Sequence, residues 1–399
     1  MSFASEQSFE EPKAPPRRPA AGKGAYVPKH AAPPKKAASV KGKSTKEEEK
    51  GFKAWLDRNF IIHGDDTRNE TSGKLVTITA VIVMAVCLVI LGSYLYEIYE
   101  AKKNHDDLRS MYSQNSLNGA QTLVITAASA TEKDEPAYTV PSDNLTWEEV
   151  SEAQTVTEEV HEPRDILPAA AGLLEINPDT VGFVRIPGCV EEPVVKGSDN
   201  DFYLTHNFYG EKRSCGTCFA DYRNVVGDWE RTDNVTLYAH NQRDGTMFGN
   251  LDAYRWDYRY WQKNPFIYFN TNYSEDTYVI ISSFVTNIYP EHDDGREVFD
   301  YQNFVNFEDE GQYTFDKFYS EIMKRSWFDT GIDCNADDKY LTLSTCSTEW
   351  DDSRHVIVAR MLRPGETAEG LDTTNFKKNE NPKWPAIYYK YNGGTYIEE

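Results

Sequence analysis

Apolar and polar positions alternate in short runs along most of this chain, with one long exception. Leu75 to Tyr96 gives 22 consecutive residues without a charge. About 20 such residues cross a hydrocarbon core as a helix, and no polar stripe interrupts the run as it would in a buried amphipathic helix. The stretch before it is too long for a cleaved signal peptide, whose charged start and apolar core fit within about 30 residues. Residues 75–96 therefore read as a single transmembrane helix.

Periodicity returns near Ile166. Leu167 to Ile176 predicts a helix with proline near its start. Beyond Asn177-Pro-Asp179 the pattern changes to short β-like runs: Val181–Ile186, Asn234–Tyr238, Phe266–Phe269, Thr277–Phe284, Tyr340–Leu343 and His355–Leu362. Turn residues at that spacing predict a mainly β domain, a barrel or a sandwich. One helix interrupts it. Thr314 suits an N-cap, and Phe315, Phe318, Tyr319 and Ile322 fall on one helical face as core packing.

The flanks are different. Residues 1–50 are rich in Pro, Ala and Lys and predict disorder. Residues 51–62 fit a short amphipathic helix at a membrane surface. Helix is expected to continue from Tyr94 to about Met111, within a spacer of residues 97–165 that lacks a core pattern.

Charge orients the anchor. Residues 1–74 hold 15 Lys+Arg against 10 Asp+Glu, leaving 27 basic and 54 acidic residues beyond the apolar run. Basic flanks stay cytoplasmic, which puts residues 1–74 inside and 97–399 outside. The acidic exterior argues against nucleic acid as a partner, since that needs a cationic footprint.

Of six cysteines, Cys87 lies in the span, leaving Cys189, Cys215, Cys218, Cys334 and Cys346 outside. An odd number in a domain of this size does not suggest a disulfide framework. Cys215-Gly-Thr-Cys218 has zinc or redox spacing, but no second pair or histidine cluster completes a metal site, and none is expected.

Reactive-thiol chemistry has a better candidate. Lys339 to Cys346 reads as a strand ending in cysteine, followed by a polar turn and then Arg354 opening a second strand. A fixed cation beside a thiolate improves it as a nucleophile, and an arginine there could also donate to an oxyanion. A lone cysteine at a strand end is nevertheless more often a small buried hydrophobe. Among the histidines, His105 and His161 fall in the spacer, His292 in an acidic loop and His206 at a surface turn, while His355 adjoins Arg354. His240 ends the strand Asn234–Ala239 and opens a polar loop, a placement common for a proton-transfer group.

These residues carry a resemblance. Leu341-Thr-Leu-Ser-Thr-Cys346 with Arg354 resembles the Thr-Leu-x-Thr-Cys…Arg signature of sortases, and Tyr238-Ala-His240 through Phe248 resembles the histidine loop of class B members. Leu173–Phe183, Asn200–Leu204, Phe219–Asn224 and the helix leading into Arg325–Thr330 are also similar to that class. The likeness covers about residues 166–365, leaving 366–399 as a C-terminal extension.

The resemblance implies an eight-stranded β-barrel with added helices and a cofactor-free cysteine transpeptidase of the Gram-positive cell surface. Cys346 would attack the carbonyl after a threonine in a C-terminal sorting signal of a secreted protein. His240 would move the amine protons, and Arg354 would hold substrate and oxyanion. Thr345, Ser347 and Tyr238 would be substrate-binding neighbours. The acceptor would be a peptidoglycan-precursor or pilin amine. Three departures stand out: Cys189-Val-Glu-Glu-Pro193 is one residue short of the family pattern, Ala239 replaces a glycine, and Cys218 replaces an aliphatic residue. Two rival readings are a cysteine endopeptidase that hydrolyses surface proteins and a catalytically inert surface scaffold.

Overall fold

The computed structural model describes residues 44–129, 162–256 and 258–396. Of residues 1–50, expected to be disordered, 1–43 lie outside the described residues, as does the spacer segment 130–161, whereas 44–50 are helical and correct that expectation. The chain divides into two units, Met1–Val89 and Ile90–Glu399.

In the first unit, helix α1 (Ser44–Phe60) exposes Phe52 and Trp55, whose rings stack 5.9 Å apart. Helix α2 (Arg68–Ser129) starts at a reciprocal cap. Thr67 N–H donates to Glu70 Oε2 at 2.8 Å, and Glu70 N–H donates back to Thr67 Oγ1 at 3.4 Å. Lys74 returns to Asp66 at 2.7 Å. Among the described residues this is the one helix long and apolar enough to cross a membrane, with mean hydropathy 2.9 in its apolar window and none of that window buried.

The second unit is built on a closed barrel. Helix α3 (Pro168–Ile176) leads into strands β1 (Thr180–Ile186), β2 (Val190–Val195), β3 (Phe219–Ala220) and β4 (Asn234–Tyr238). Short helices α4 (Ala253–Trp256) and α5 (Tyr258–Lys263) precede β5 (Phe266–Thr271) and β6 (Glu275–Thr286). Helix α6 (Phe315–Arg325), β7 (Phe328–Asp329), β8 (Tyr340–Cys346), β9 (Arg354–Met361), β10 (Lys377–Lys378) and α7 (Ala386–Asn392) follow. The strands close in the order β1-β2-β3-β4-β8-β9-β6-β5, with β5 returning to β1. Closure leaves no open barrel edge. The interior is filled by Val184, Ile186, Val235, Leu237, Leu341, Leu343, Ile357 and Ala359, all fully buried.

A second apolar layer lies under α6. Thr314 caps this helix by accepting from Lys317 N–H, and Phe318 and Ile322 bury against Val279, Tyr340 and Val356. The extension does not hang free. Lys377 and Lys378 pair with Asp329 and Phe328, while Phe376, Trp384, Ile387 and Tyr388 pack on the main core.

The spacer expectation needs a correction over its first part. Leu108, Met111 and Tyr112 of α2 pack with Leu173, Phe183, Val195, Tyr203 and Phe219. They stand at i, i+3 and i+4, so a short apolar stripe on a charged segment is enough to dock it.

Candidate active site

Three adjacent strands end at one rim of the barrel. β4 runs parallel to β8 with Tyr238 opposite Ser344, and β8 runs antiparallel to β9 with Cys346 opposite Arg354. Two residues further along the parallel pair, His240 follows Tyr238 as Cys346 follows Ser344. Residues in matching parallel register lie on neighbouring strands about 4.8 Å apart and on the same face. The register therefore pairs Cys346 with Arg354 across two strand ends, with His240 two residues past the Tyr238–Ser344 pair at the end of the third strand. Ala239 N–H continues the ladder to Ser344 carbonyl at 3.4 Å, and Thr345 Oγ1 donates to Ala239 carbonyl at 2.8 Å.

Cys346 is exposed, whereas Cys189 and Cys218 are buried and Cys334 is half-buried. Burial pushes the Cys189 thiol up to about 11 and Cys334 to about 12, and it raises Cys218 well above the ordinary value. Those thiols are held protonated at neutral pH. Arg354 donates from Nη1 to the carbonyl of its neighbour Ser353 at 3.1 Å, and among the described residues no carboxylate pairs with it. Its charge is left for whatever lies at the rim.

His240 is partly exposed, and its Nε2 lies 2.8 Å from Leu204 carbonyl. A carbonyl only accepts, so Nε2 carries a proton and Nδ1 is the position left to exchange one. The turn that supplies Leu204 is held by Asp221. This carboxylate accepts from Asn200 Nδ2 at 3.0 Å, Tyr238 hydroxyl at 2.9 Å, and Arg223 Nε at 2.8 Å and Nη2 at 2.7 Å. Burial works to raise its pKa, but the Arg223 donors outweigh that and hold it below the usual range. Thus the Asn200–Leu204 and Phe219–Asn224 stretches act together, fixing the backbone that orients His240.

The other sequence candidates are occupied inside the protein. Thr345 is buried with its hydroxyl spent on Ala239, and Tyr238 gives its hydroxyl to Asp221. Ser347 donates to Glu349, which also meets Arg255. With Trp350 bonded to Asn287 and Ser347 N–H to Ser353 carbonyl at 2.9 Å, the turn between Cys346 and Arg354 is held in place. Sequence reasoning missed Asn241, whose Nδ2 donates to Cys346 carbonyl at 2.9 Å, and the Leu204 carbonyl. Asn241 adjoins His240 and could have been weighed; a backbone oxygen leaves no signal in residue type. No metal-binding cluster of His, Cys, Asp or Glu exists among the described residues.

The barrel thus carries a cysteine and an arginine paired at two strand ends and a histidine just beyond a third. A family model for the sortase domain matches residues 184–362. The chain is 27% identical over 196 residues to sortase B of Listeria monocytogenes, covering 48% of this chain and 72% of that protein. It is 26% identical over 201 residues to sortase B of Staphylococcus aureus, covering 50% and 76%. The solved sortase B of Clostridium perfringens is 30% identical, covering 48% of this chain and 99% of that one, with a TM-score of 0.42. The chain belongs to the sortase family, cysteine transpeptidases built on this barrel. Within that family its likeness is to class B.

Proposed function

We propose that the protein is a membrane-anchored transpeptidase of the outer cell surface that joins secreted proteins bearing a C-terminal sorting signal to an amine. The Cys346 thiolate attacks the backbone carbonyl carbon at the cleavage point, and the oxyanion is met by the Arg354 guanidinium. The C–N bond then breaks, His240 gives a proton to the departing amine, and a thioester remains on Cys346. An incoming amine loses its proton to His240 and attacks the thioester, expelling the Cys346 thiolate. Peptidoglycan precursor and pilin lysine both offer such an amine. The apolar run in α2 and the basic residues before it support an anchor with the catalytic unit outside. The observation that supports the reading is the register that pairs Cys346 with Arg354, with His240 following the Tyr238–Ser344 pair on the strand beside them.

The test uses the full chain in detergent micelles, a library of quenched sorting-signal peptides and added glycine peptides as acceptors. Mass spectrometry is expected to show a thioacyl adduct on Cys346 and an amine-dependent ligated product. Cleavage retained by Cys346→Ala would sink the assignment, and hydrolysis indifferent to added amine would make the protein a peptidase instead.

A further inference from the structure

The stretch Cys189–Pro193, where the sequence departs from the family pattern, places a carboxylate in the barrel wall. Glu192 of β2 is 1% exposed. Its Oε2 lies 2.7 Å from His105 Nδ1, and its Oε1 lies 3.1 Å from Arg109 Nη2, both on α2. Arg109 adds a second tie, donating from Nε to Glu191 carbonyl at 2.6 Å. A buried carboxylate is stable only when paired and hydrogen-bonded, and here both cations come from one helix.

The remaining partner of Glu192 is in the histidine loop. Met247 N–H donates to Glu192 Oε1 at 3.1 Å. Met247 is buried at φ +55°, left-handed backbone that a non-glycine residue holds only when its surroundings impose it. From there the connection to the candidate chemistry is short. Met247 bridges to Asn241, Phe248 N–H donates to His240 carbonyl at 3.0 Å, and Asn241 reaches Cys346 carbonyl at 2.9 Å. A set of polar contacts thus runs from α2 through Glu192 to the backbone carbonyls of His240 and Cys346.

We propose that Glu192 is a positioning residue that ties the His240 loop to the segment of α2 around His105 and Arg109, so that the loop keeps its conformation only while that segment is docked. The functional meaning rests on the reading of His240 and Cys346 given above. Removing the helix cations leaves the carboxylate buried and uncompensated. It must then turn toward water or take up a proton, and either change weakens the contact that holds Met247. Arg109 is the better site to perturb, because its side chain is 29% exposed and its loss opens no cavity in the barrel.

The experiment is hydrogen–deuterium exchange on the full chain in detergent micelles, comparing wild type, Arg109→Ala, Arg109→Lys and His105→Ala/Arg109→Ala. Amides of residues 245–249 are expected to exchange about tenfold faster in the double variant and less so in Arg109→Ala. Amides of residues 278–285 in β6 should stay unchanged, and Arg109→Lys should restore most of the loop's protection. Unchanged exchange in 245–249, or a parallel rise in β6, overturns the proposal. On any quenched peptide the wild-type chain cleaves, kcat should fall about tenfold in the double variant with KM unchanged, and Arg109→Lys should recover it. A wild-type chain that cleaves nothing defeats the transpeptidase reading, while the exchange data still decide the role of Glu192.

Discussion

Asn241 donates from Nδ2 to the backbone carbonyl of Cys346 at 2.9 Å, joining the loop that follows His240 to the strand end that carries the thiol. Asn241→Ala removes this tie at an exposed rim, so folding should suffer by only about 1 kcal/mol in a urea titration. Turnover depends on placement, and small misplacements are costly, so kcat/KM is expected to fall about tenfold or more. Equal activity in the variant would show that the tie does not set the geometry.

Thiol reactivity should separate the cysteines sharply. Iodoacetamide acts on the thiolate, and burial keeps Cys189, Cys218 and Cys334 protonated well above neutral pH. Cys346 stands exposed. Peptide mapping of the native full chain at pH 7.5, a condition of roughly neutral pH, is expected to find Cys346 alkylated at least about tenfold faster than these three. Comparable labelling of Cys189 would mean that its wall of the barrel opens readily.

Two buried histidines predict opposite limbs of a stability profile. At His105 burial opposes the charge, but Glu192 and Cys215 outweigh it and raise the pKa to about 10. That stabilisation is complete below the unfolded value near 6.5 and is lost as pH climbs toward 10. At His355 burial and then the Arg255 charge depress the pKa to about 3. Ser283 Oγ sits 2.9 Å from its Nε2, and the ring stays neutral while the unfolded chain gains a proton below about 6.5, so stability drops as pH falls. The unfolding midpoint should therefore peak near neutrality and fall by about 5 °C or more on each side. His105→Gln should flatten the alkaline limb and leave the acid limb; a variant with both limbs intact would remove His105 as the cause.

What the sequence showed and concealed follows from where the signal resides. The positions of Cys346 and Arg354 at strand ends, and of His240 just past β4, were legible because strand ends are punctuated by polar residues, and six strands carried clear apolar runs. β2 escaped because Val190-Glu-Glu-Pro-Val-Val195 interrupts its pattern with two carboxylates and a proline, and β3 because two residues carry no period. The roles of Thr345, Tyr238 and Ser347 could not be read, since each hydroxyl is directed by a partner supplied by folding: Ala239, Asp221 and Glu349. Likewise the docking of α2 depended on a three-residue stripe and on Glu192 waiting across the fold.

The C-terminal extension, beyond the matched sortase segment, gives a last prediction. Trp384 stacks on Tyr388 with centroids 4.2 Å apart and lies 5.8 Å from Trp327, which in turn stacks on His355 at 5.5 Å. The extension thus seals the far side of β9, the strand that begins with Arg354. Trp384→Ala should destabilise the domain by about 2 kcal/mol, because the ring is partly rather than fully buried. Opening that side also lets water reach His355 through Trp327, so its depressed pKa should relax upward. The acid limb of the stability profile would then become shallower in the variant, even though the protein is weaker at neutral pH. Urea titrations at pH 5 and pH 7, chosen to bracket the unfolded histidine value near 6.5, test this directly. An acid limb as steep as that of wild type would show that the extension packs on the barrel without shielding His355.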